Sequence, residues 1–93
     1  MPVQVRIPTI LRRYTDEARV VEGKGETLGD LFLDLDARFP GIRGDLVSEA
    51  GGLARFVNIY VNDEDVRFLG GLEAPIAEGD TVTILPAVAG GSR

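Results

Sequence analysis

The chain has 93 residues, of which 44% are hydrophobic and 27% charged, as expected of one small globular domain. The chain contains ten Lys and Arg residues and fifteen Asp and Glu residues. The resulting net charge of −5 argues against binding to nucleic acid or to an anionic membrane surface. The absence of His and Cys excludes Ser–His and Cys–His catalysis and zinc sites built on these residues, and it disfavours a self-sufficient enzyme.

The apolar runs are short, and none approaches the roughly eighteen residues that a membrane span needs. A strand-like pattern starts at the N-terminus, so we expect no signal peptide. The absence of cysteine agrees with a cytoplasmic location, where disulfides are rare. An acidic domain of this kind is expected to be steered towards partners with basic surfaces.

The first part of the chain predicts a β-hairpin. Apolar and polar residues alternate over residues 3–7, as in a half-buried strand that ends at Pro8. Residues 9–13 leave this strand, and residues 14–17 indicate a polar turn. Residues 18–22 then form a second strand, which pairs with the first.

One convincing helix follows. Thr27 is a good N-cap, with Asp30 three residues further on, and Pro40 and Gly41 end the pattern. Between them the apolar residues recur at the spacing of one helix face. These residues are Leu28, Leu31, Phe32, Leu35 and Phe39.

The second half of the chain predicts three more strands. Residues 56–62 alternate most clearly, residues 62–65 form a turn, residues 66–68 form a short return strand, and residues 81–85 form the last strand. The resulting order β-β-α-β-β-β is that of the α+β β-grasp, or ubiquitin-like, fold. We expect a mixed sheet of four to five strands with the helix packed on one face.

Two candidate ligand sites are weak. The Gly-Lys-Gly segment at residues 23–25 lacks the spacing of a phosphate-binding loop, so a tight turn into the helix is favoured. Asp63, Glu64 and Asp65 lie too close together on a hairpin turn to make a calcium loop. We therefore expect no bound metal and no bound cofactor.

The face of the sheet turned away from the helix carries a more interesting group. Strand alternation places Phe56, Tyr60 and Leu85 on this face, beside Arg6. These residues are either scattered surface apolars, which are common, or a contiguous patch for docking a partner.

The tail after Pro86 is Ala-Val-Ala-Gly-Gly, followed by Ser92 and Arg93. Ala and Gly bury little surface, so we predict a β-grasp domain over residues 1–86 and a flexible tail over residues 87–93. The tail is either a frayed end or a thin segment that threads into a partner's active site. Five extended residues reach roughly 17 Å.

Several stretches resemble one family, the ubiquitin-like sulfur carriers of the ThiS/MoaD superfamily, and most of all the CysO type of cysteine biosynthesis. The diglycine ending on a β-grasp pattern points to the superfamily, and the sequence around residues 58–68 together with the PAVAGG ending points to the CysO type. The matching stretches cover most of the chain and are residues 7–15, 25–42, 55–72 and 79–91.

The resemblance implies that the protein is a cosubstrate whose chemistry belongs to its partners. An E1-like adenylating and sulfurtransferase enzyme would use ATP to activate Gly91, which follows Gly90, and sulfur would replace AMP to leave a C-terminal thiocarboxylate. The acceptor would be a pyridoxal-phosphate-dependent cysteine synthase that uses O-phosphoserine. The patch of Arg6, Phe56, Tyr60 and Leu85 would dock these partners.

The sequence departs from the family at its end, because Ser92 and Arg93 follow the diglycine. Either a JAMM-type zinc metallopeptidase removes them, as the resemblance favours, or they are a cloning remnant. Other outcomes stay open: sulfur transfer to molybdopterin, to thiamin or to a tRNA base, or conjugation of Gly91 to lysines of other proteins.

Overall fold

The computed structural model describes residues 2–48, 51–55 and 57–86. The predictions made for Phe56 and for residues 87–93, including the flexibility of the tail, lie outside this described part of the chain.

The described residues form five strands and two α-helices. The strands alternate buried and exposed residues, as the sequence pattern predicts, and the longer helix follows the Thr27 cap. The strands are β1 Val3–Arg6, β2 Val20–Gly23, β3 Val57–Val61, β4 Glu64–Asp65 and β5 Thr81–Pro86; the helices are α1 Leu28–Arg38 and α2 Ile42–Leu46.

The strands form a single mixed sheet in the order β2-β1-β5-β3-β4. The parallel pair is β1 with β5, and the other neighbouring strands are antiparallel. This arrangement confirms the predicted β-grasp fold. It also places β5 in the middle of the sheet, so that the chain reaches its C-terminal segment from the centre of the fold.

Helix α1 packs its apolar face on one side of the sheet. The Thr27 hydroxyl accepts a hydrogen bond from the Asp30 N–H at 3.2 Å, which confirms the predicted cap. Leu28, Leu31, Phe32 and Leu35 are fully buried, as the apolar stripe predicts, whereas Phe39, the last residue of the stripe, is half-buried at the C-cap. They pack on the inner face of the sheet, which is made of Val3, Val5, Ile7, Val57, Ile59, Val61, Val82 and Ile84.

The predicted return strand at residues 66–68 is wrong. Asn62 and Asp63 both have positive φ, 51° and 75°, as in the tight two-residue turns that match the twist of a hairpin. The return strand therefore starts at once, as β4. The Asp65 carboxylate then accepts a hydrogen bond from the Arg67 N–H at 2.9 Å and turns Val66–Phe68 into a 3₁₀ helix.

A second difference lies between the first two strands. Residues Thr9–Tyr14 form a 3₁₀ helix that buries Leu11, where the sequence predicted only that residues 9–13 leave the first strand and that a turn begins at residue 14. Strand β2 also starts at Val20 and not at residue 18, since Thr15, Asp16 and Glu17 turn the chain first. Within the described ranges, no helix has the length and apolar character needed to cross a bilayer.

Candidate functional site

The face of the sheet turned away from α1 is called the outer face here. Strand register brings Arg6 of β1, Thr83 of β5 and Tyr60 of β3 into one row across it. Leu85 of β5 lies opposite Asn58 of β3 in the next row. Neighbouring strands are about 4.8 Å apart, and the two rows are two residues, or about 6.7 Å, apart along the strands, so they form one continuous surface.

Three of the four predicted docking residues are thus brought together on the outer face. Leu85 is 45% exposed, Tyr60 is half-buried and Arg6 is exposed. No ion-pair partner of Arg6 occurs among the residues that the structure describes. Phe56, the fourth residue, lies outside the described residues. The observed arrangement offers a partner an apolar surface flanked by a cation that has no ion-pair partner in the described part of the chain.

Asp65 and Arg67 border this surface, a contribution that the sequence analysis did not foresee. Asp65 of β4 lies opposite Tyr60, and its carboxylate accepts hydrogen bonds from the Arg67 guanidinium at 2.7–3.2 Å. These side-chain hydrogen bonds, and then the bond from the Arg67 backbone N–H, hold the pKa of Asp65 below its ordinary value. The sequence does carry a signal for this pair, because Asp65 and Arg67 are two residues apart shortly after the strongest predicted strand.

Because folding lowers the pKa of Asp65, the stability of the folded protein depends on pH. A carboxyl group whose pKa is lowered by folding contributes stability above the pKa of the unfolded chain. That contribution is lost as the pH falls through the lower pKa of the folded state. The Asp65 carboxylate is therefore expected to stay paired with Arg67 at the margin of the outer face until the pH falls through the lowered pKa of Asp65.

The two weak ligand sites have structural roles. The Lys24 N–H donates to the Asp34 carboxylate at 3.0 Å, and a Cβ on Gly25 would lie 2.6 Å from the backbone nitrogen of Leu31. The Gly-Lys-Gly turn therefore lets the chain pass close to α1. Among residues 2–48, 51–55 and 57–86, no group of three or more acidic side chains is placed to hold a metal ion.

The end of β5 connects the outer face to the C-terminal residues. Pro86 is the last residue of β5 and lies opposite Val57, the first residue of β3. Gly90 and Gly91 are four and five residues further along the chain, and Leu85 immediately precedes Pro86. A partner that covers Leu85 would therefore also lie beside Pro86, the last residue that the structure describes.

Comparison with known proteins gives a consistent result. The model of the ThiS family matches residues 5–91. The sulfur carrier protein CysO of Mycobacterium tuberculosis is 59% identical over 93 residues, which span 98% of this chain and 100% of that protein.

Solved structures agree with the sequence match. The crystal structure of Mycobacterium tuberculosis CysO is similar with a TM-score of 0.90 at 57% identity, covering 92% of this chain and 99% of that chain. CysO in the crystal structure of the Amycolatopsis orientalis BexX/CysO complex gives a TM-score of 0.89 at 57% identity, covering 96% of this chain and 99% of that chain.

Proposed function

The chain belongs to the ThiS family of sulfur carriers, and from this premise we propose that it carries sulfur as a thiocarboxylate on Gly91. The observation that supports the proposal most strongly is 59% identity to a sulfur carrier along that protein's whole length. The amino-acid composition agrees with this proposal. A chain without His or Cys lacks two of the usual catalytic groups, but its C-terminal carboxylate can still be activated by a partner.

The chemistry requires an activating partner, since a free carboxylate is a poor electrophile. The Gly91 carboxylate attacks the α-phosphorus of ATP, pyrophosphate leaves, and an acyl adenylate forms. Hydrosulfide then attacks the acyl carbon, its proton is lost and AMP leaves, which gives the thiocarboxylate. The E1-like adenylating and sulfurtransferase enzyme holds ATP and performs both steps, so the carrier itself binds no cofactor.

Removal of Ser92 and Arg93 precedes activation in this proposal. With both residues present, the carboxyl group of Gly91 is part of a peptide bond and cannot attack ATP. A JAMM-type zinc metallopeptidase is the proposed processing enzyme. The same class of enzyme would release the product from the carrier after sulfur transfer.

The proposed acceptor is an aminoacrylate formed from O-phosphoserine on the pyridoxal phosphate of a cysteine synthase. This acceptor is proposed because the relative with 59% identity is a sulfur carrier protein of the CysO type. The test mixes thiocarboxylate carrier, synthase and O-phosphoserine, and follows the intact mass of the carrier. An adduct that carries cysteine supports this acceptor, whereas a carrier that stays a thiocarboxylate or only hydrolyses, with the synthase active on O-phosphoserine, would refute it.

We further propose that the outer face docks these partners. Its support is the apolar surface at Tyr60 and Leu85, and Arg6, which has no ion-pair partner among the residues that the structure describes. Leu85 also directly precedes Pro86, after which the tail begins. A protein that engages this surface would hold the beginning of the tail beside its own catalytic cleft. The similar CysO chain in the BexX complex agrees with partner docking by a carrier of this fold.

Tyr60→Ala and Leu85→Ala are each expected to weaken binding to the activating enzyme by at least about 2 kcal/mol, because central apolar contacts dominate interface energies. The measurement is isothermal titration calorimetry. The matched control is Leu33→Ala, which removes an exposed apolar side chain, 55% accessible, from α1 on the opposite side of the sheet. Wild-type affinity in both outer-face variants would exclude this docking surface.

A further inference from the structure

A groove of about 550 Å³ lies beside the last residue of β5. It is formed by the 3₁₀ helix Thr9–Tyr14, by α2 and by the chain that connects α2 to β3. Val57 lines the groove and lies opposite Pro86 in the sheet, and its side chain belongs to the core. The groove is therefore reached from Leu85, on the outer face, by going round the end of the β3–β5 pair.

The lining of the groove is largely apolar and is fixed by the fold. Its apolar residues are Ile10, Leu11, Val47, Ala54 and Val57. Ile10 is 51% exposed, so it presents a large apolar side chain to solvent. The Ala54 N–H donates to the Leu46 carbonyl at 2.9 Å, which ties the connecting chain to α2. A preformed apolar groove of this kind suits the insertion of another protein's side chain.

The charge at the groove is positive, although the chain as a whole carries −5. The charged residues of its lining are Arg13, Asp45 and Arg55. The Asp45 carboxylate is engaged, since it accepts hydrogen bonds from the Arg13 guanidinium at 3.1 Å and from the Tyr14 hydroxyl at 2.8 Å. Arg55 is exposed and forms no ion pair within the ranges that the structure describes. A carboxylate is the group that complements it.

The docking residues described on the outer face are too few to hold a partner alone. They are Arg6, Tyr60 and Leu85, whereas a stable protein–protein interface buries about 800 Å² on each partner and involves roughly 20–30 residues a side. A partner that covers Leu85 must therefore extend over neighbouring surface. The groove offers such a surface, because the Val57–Pro86 pair joins it to the row of Leu85.

We propose that the activating enzyme inserts an extended segment into this groove, with an apolar side chain against Ile10 and a carboxylate on Arg55. The inference rests on the proposed docking through the outer face, and it adds a second contact of stated chemistry. The enzyme then holds the end of β5 from two sides, which fixes the position of Pro86. At this groove the contact is with an acidic segment, opposite in sign to the expectation drawn from the net charge.

Gly44 allows the groove to be blocked without disturbing the core. It lines the groove, and a Cβ at this position would meet no atom within 4 Å. Gly44→Leu therefore places an apolar side chain in the groove without a clash. Gly52→Leu is the matched control, because a Cβ there also meets no atom within 4 Å and Gly52 does not line the groove. Circular dichroism and urea denaturation verify that both variants are folded.

Arg55→Glu tests the carboxylate. Its control is Lys24→Glu, which changes the net charge by the same amount at an exposed residue. Lys24 follows Gly23, which pairs with Val3 at the end of the sheet opposite Pro86. Isothermal titration calorimetry with the activating enzyme, without ATP, measures binding independently of sulfur transfer. Gly44→Leu and Arg55→Glu are each expected to weaken binding by at least about 10-fold, and both controls are expected to bind like the wild type.

Several results would overturn the inference. Wild-type affinity of folded Gly44→Leu, or an equal loss in Gly52→Leu, would show that the enzyme does not fill the groove. Equal losses in Arg55→Glu and Lys24→Glu would show that overall charge controls binding. A dimer of the free protein in sedimentation, abolished by Gly44→Leu, would assign the groove to a second copy. These outcomes leave the outer face in place, whereas a wild-type protein that does not bind the enzyme would overturn the proposed docking as well.

Discussion

A form of the chain that ends at Gly91 is expected to support ATP–pyrophosphate exchange by its activating enzyme, and the full-length chain is expected to support none. Exchange requires a carboxylate at the position of Gly91. In the full-length chain the terminal carboxylate belongs to Arg93 and lies two residues further along, roughly 7 Å. The effect is close to all-or-none because the reacting group is absent from the reactive position.

The two glycines themselves are also expected to matter for activation. A cleft that closes around two glycines can approach their backbone closely, since neither carries a Cβ. Gly90→Ala and Gly91→Val in the trimmed form are therefore expected to slow exchange while leaving the unfolding transition unchanged. Equal exchange by full-length and trimmed protein, with no trimming detected by mass, would contradict the processing proposal.

Phe32→Ala is expected to lower the free energy of unfolding by about 3–5 kcal/mol, which is a large part of the stability of a domain this small. Phe32 is fully buried on α1, where it joins the core against the inner face of the sheet. Its truncation removes apolar contacts and leaves a cavity that the tightly packed strands cannot fill.

The neighbouring residue provides the control. Leu33→Ala changes an exposed leucine on the same helix, so its effect is expected to stay within about 0.5 kcal/mol. Urea denaturation at equilibrium measures both changes on one scale. Similar losses in the two variants would contradict the assignment of the buried face of α1.

Much of the fold follows from local pattern. The alternation in β1, β3 and β5 and the stripe on α1 bury the residues that the sequence predicts, because one face of each element must leave water. The Thr27 cap is likewise local. These features depend on side chains a few residues apart, which a sequence displays directly.

The errors arise where a single side chain redirects the backbone. Residues 66–68 alternate like a strand, yet Phe68 is 87% exposed and Val66 is buried in a 3₁₀ helix. The hydrogen bond from the Arg67 N–H to Asp65 decides this geometry. Such a bond depends on the early turn at Asn62 and Asp63, whose positive φ values the strand pattern does not reveal.

Part of the candidate site could likewise be predicted from the sequence, and part could not. Arg6, Tyr60 and Leu85 could be assigned to one face by counting alternate residues, and the register places them in adjoining rows. Arg67 could not be assigned, because its position depends on the Asp65 pair and on the hairpin turn. The role of Arg6, Tyr60 and Leu85 in docking, like that of Phe56, stays a prediction until binding is measured.

The central claim is that Gly91 carries sulfur, and the most direct measurement is the intact mass of the protein isolated from its native host. The account predicts a species that ends at Gly91 and is heavier than the free acid by the difference between a sulfur and an oxygen atom. Alkylation specific to the thiocarboxylate should shift this species and no other. A population that consists only of free acid, or of isopeptide adducts on other proteins, while the activating enzyme is present and active, would contradict the claim.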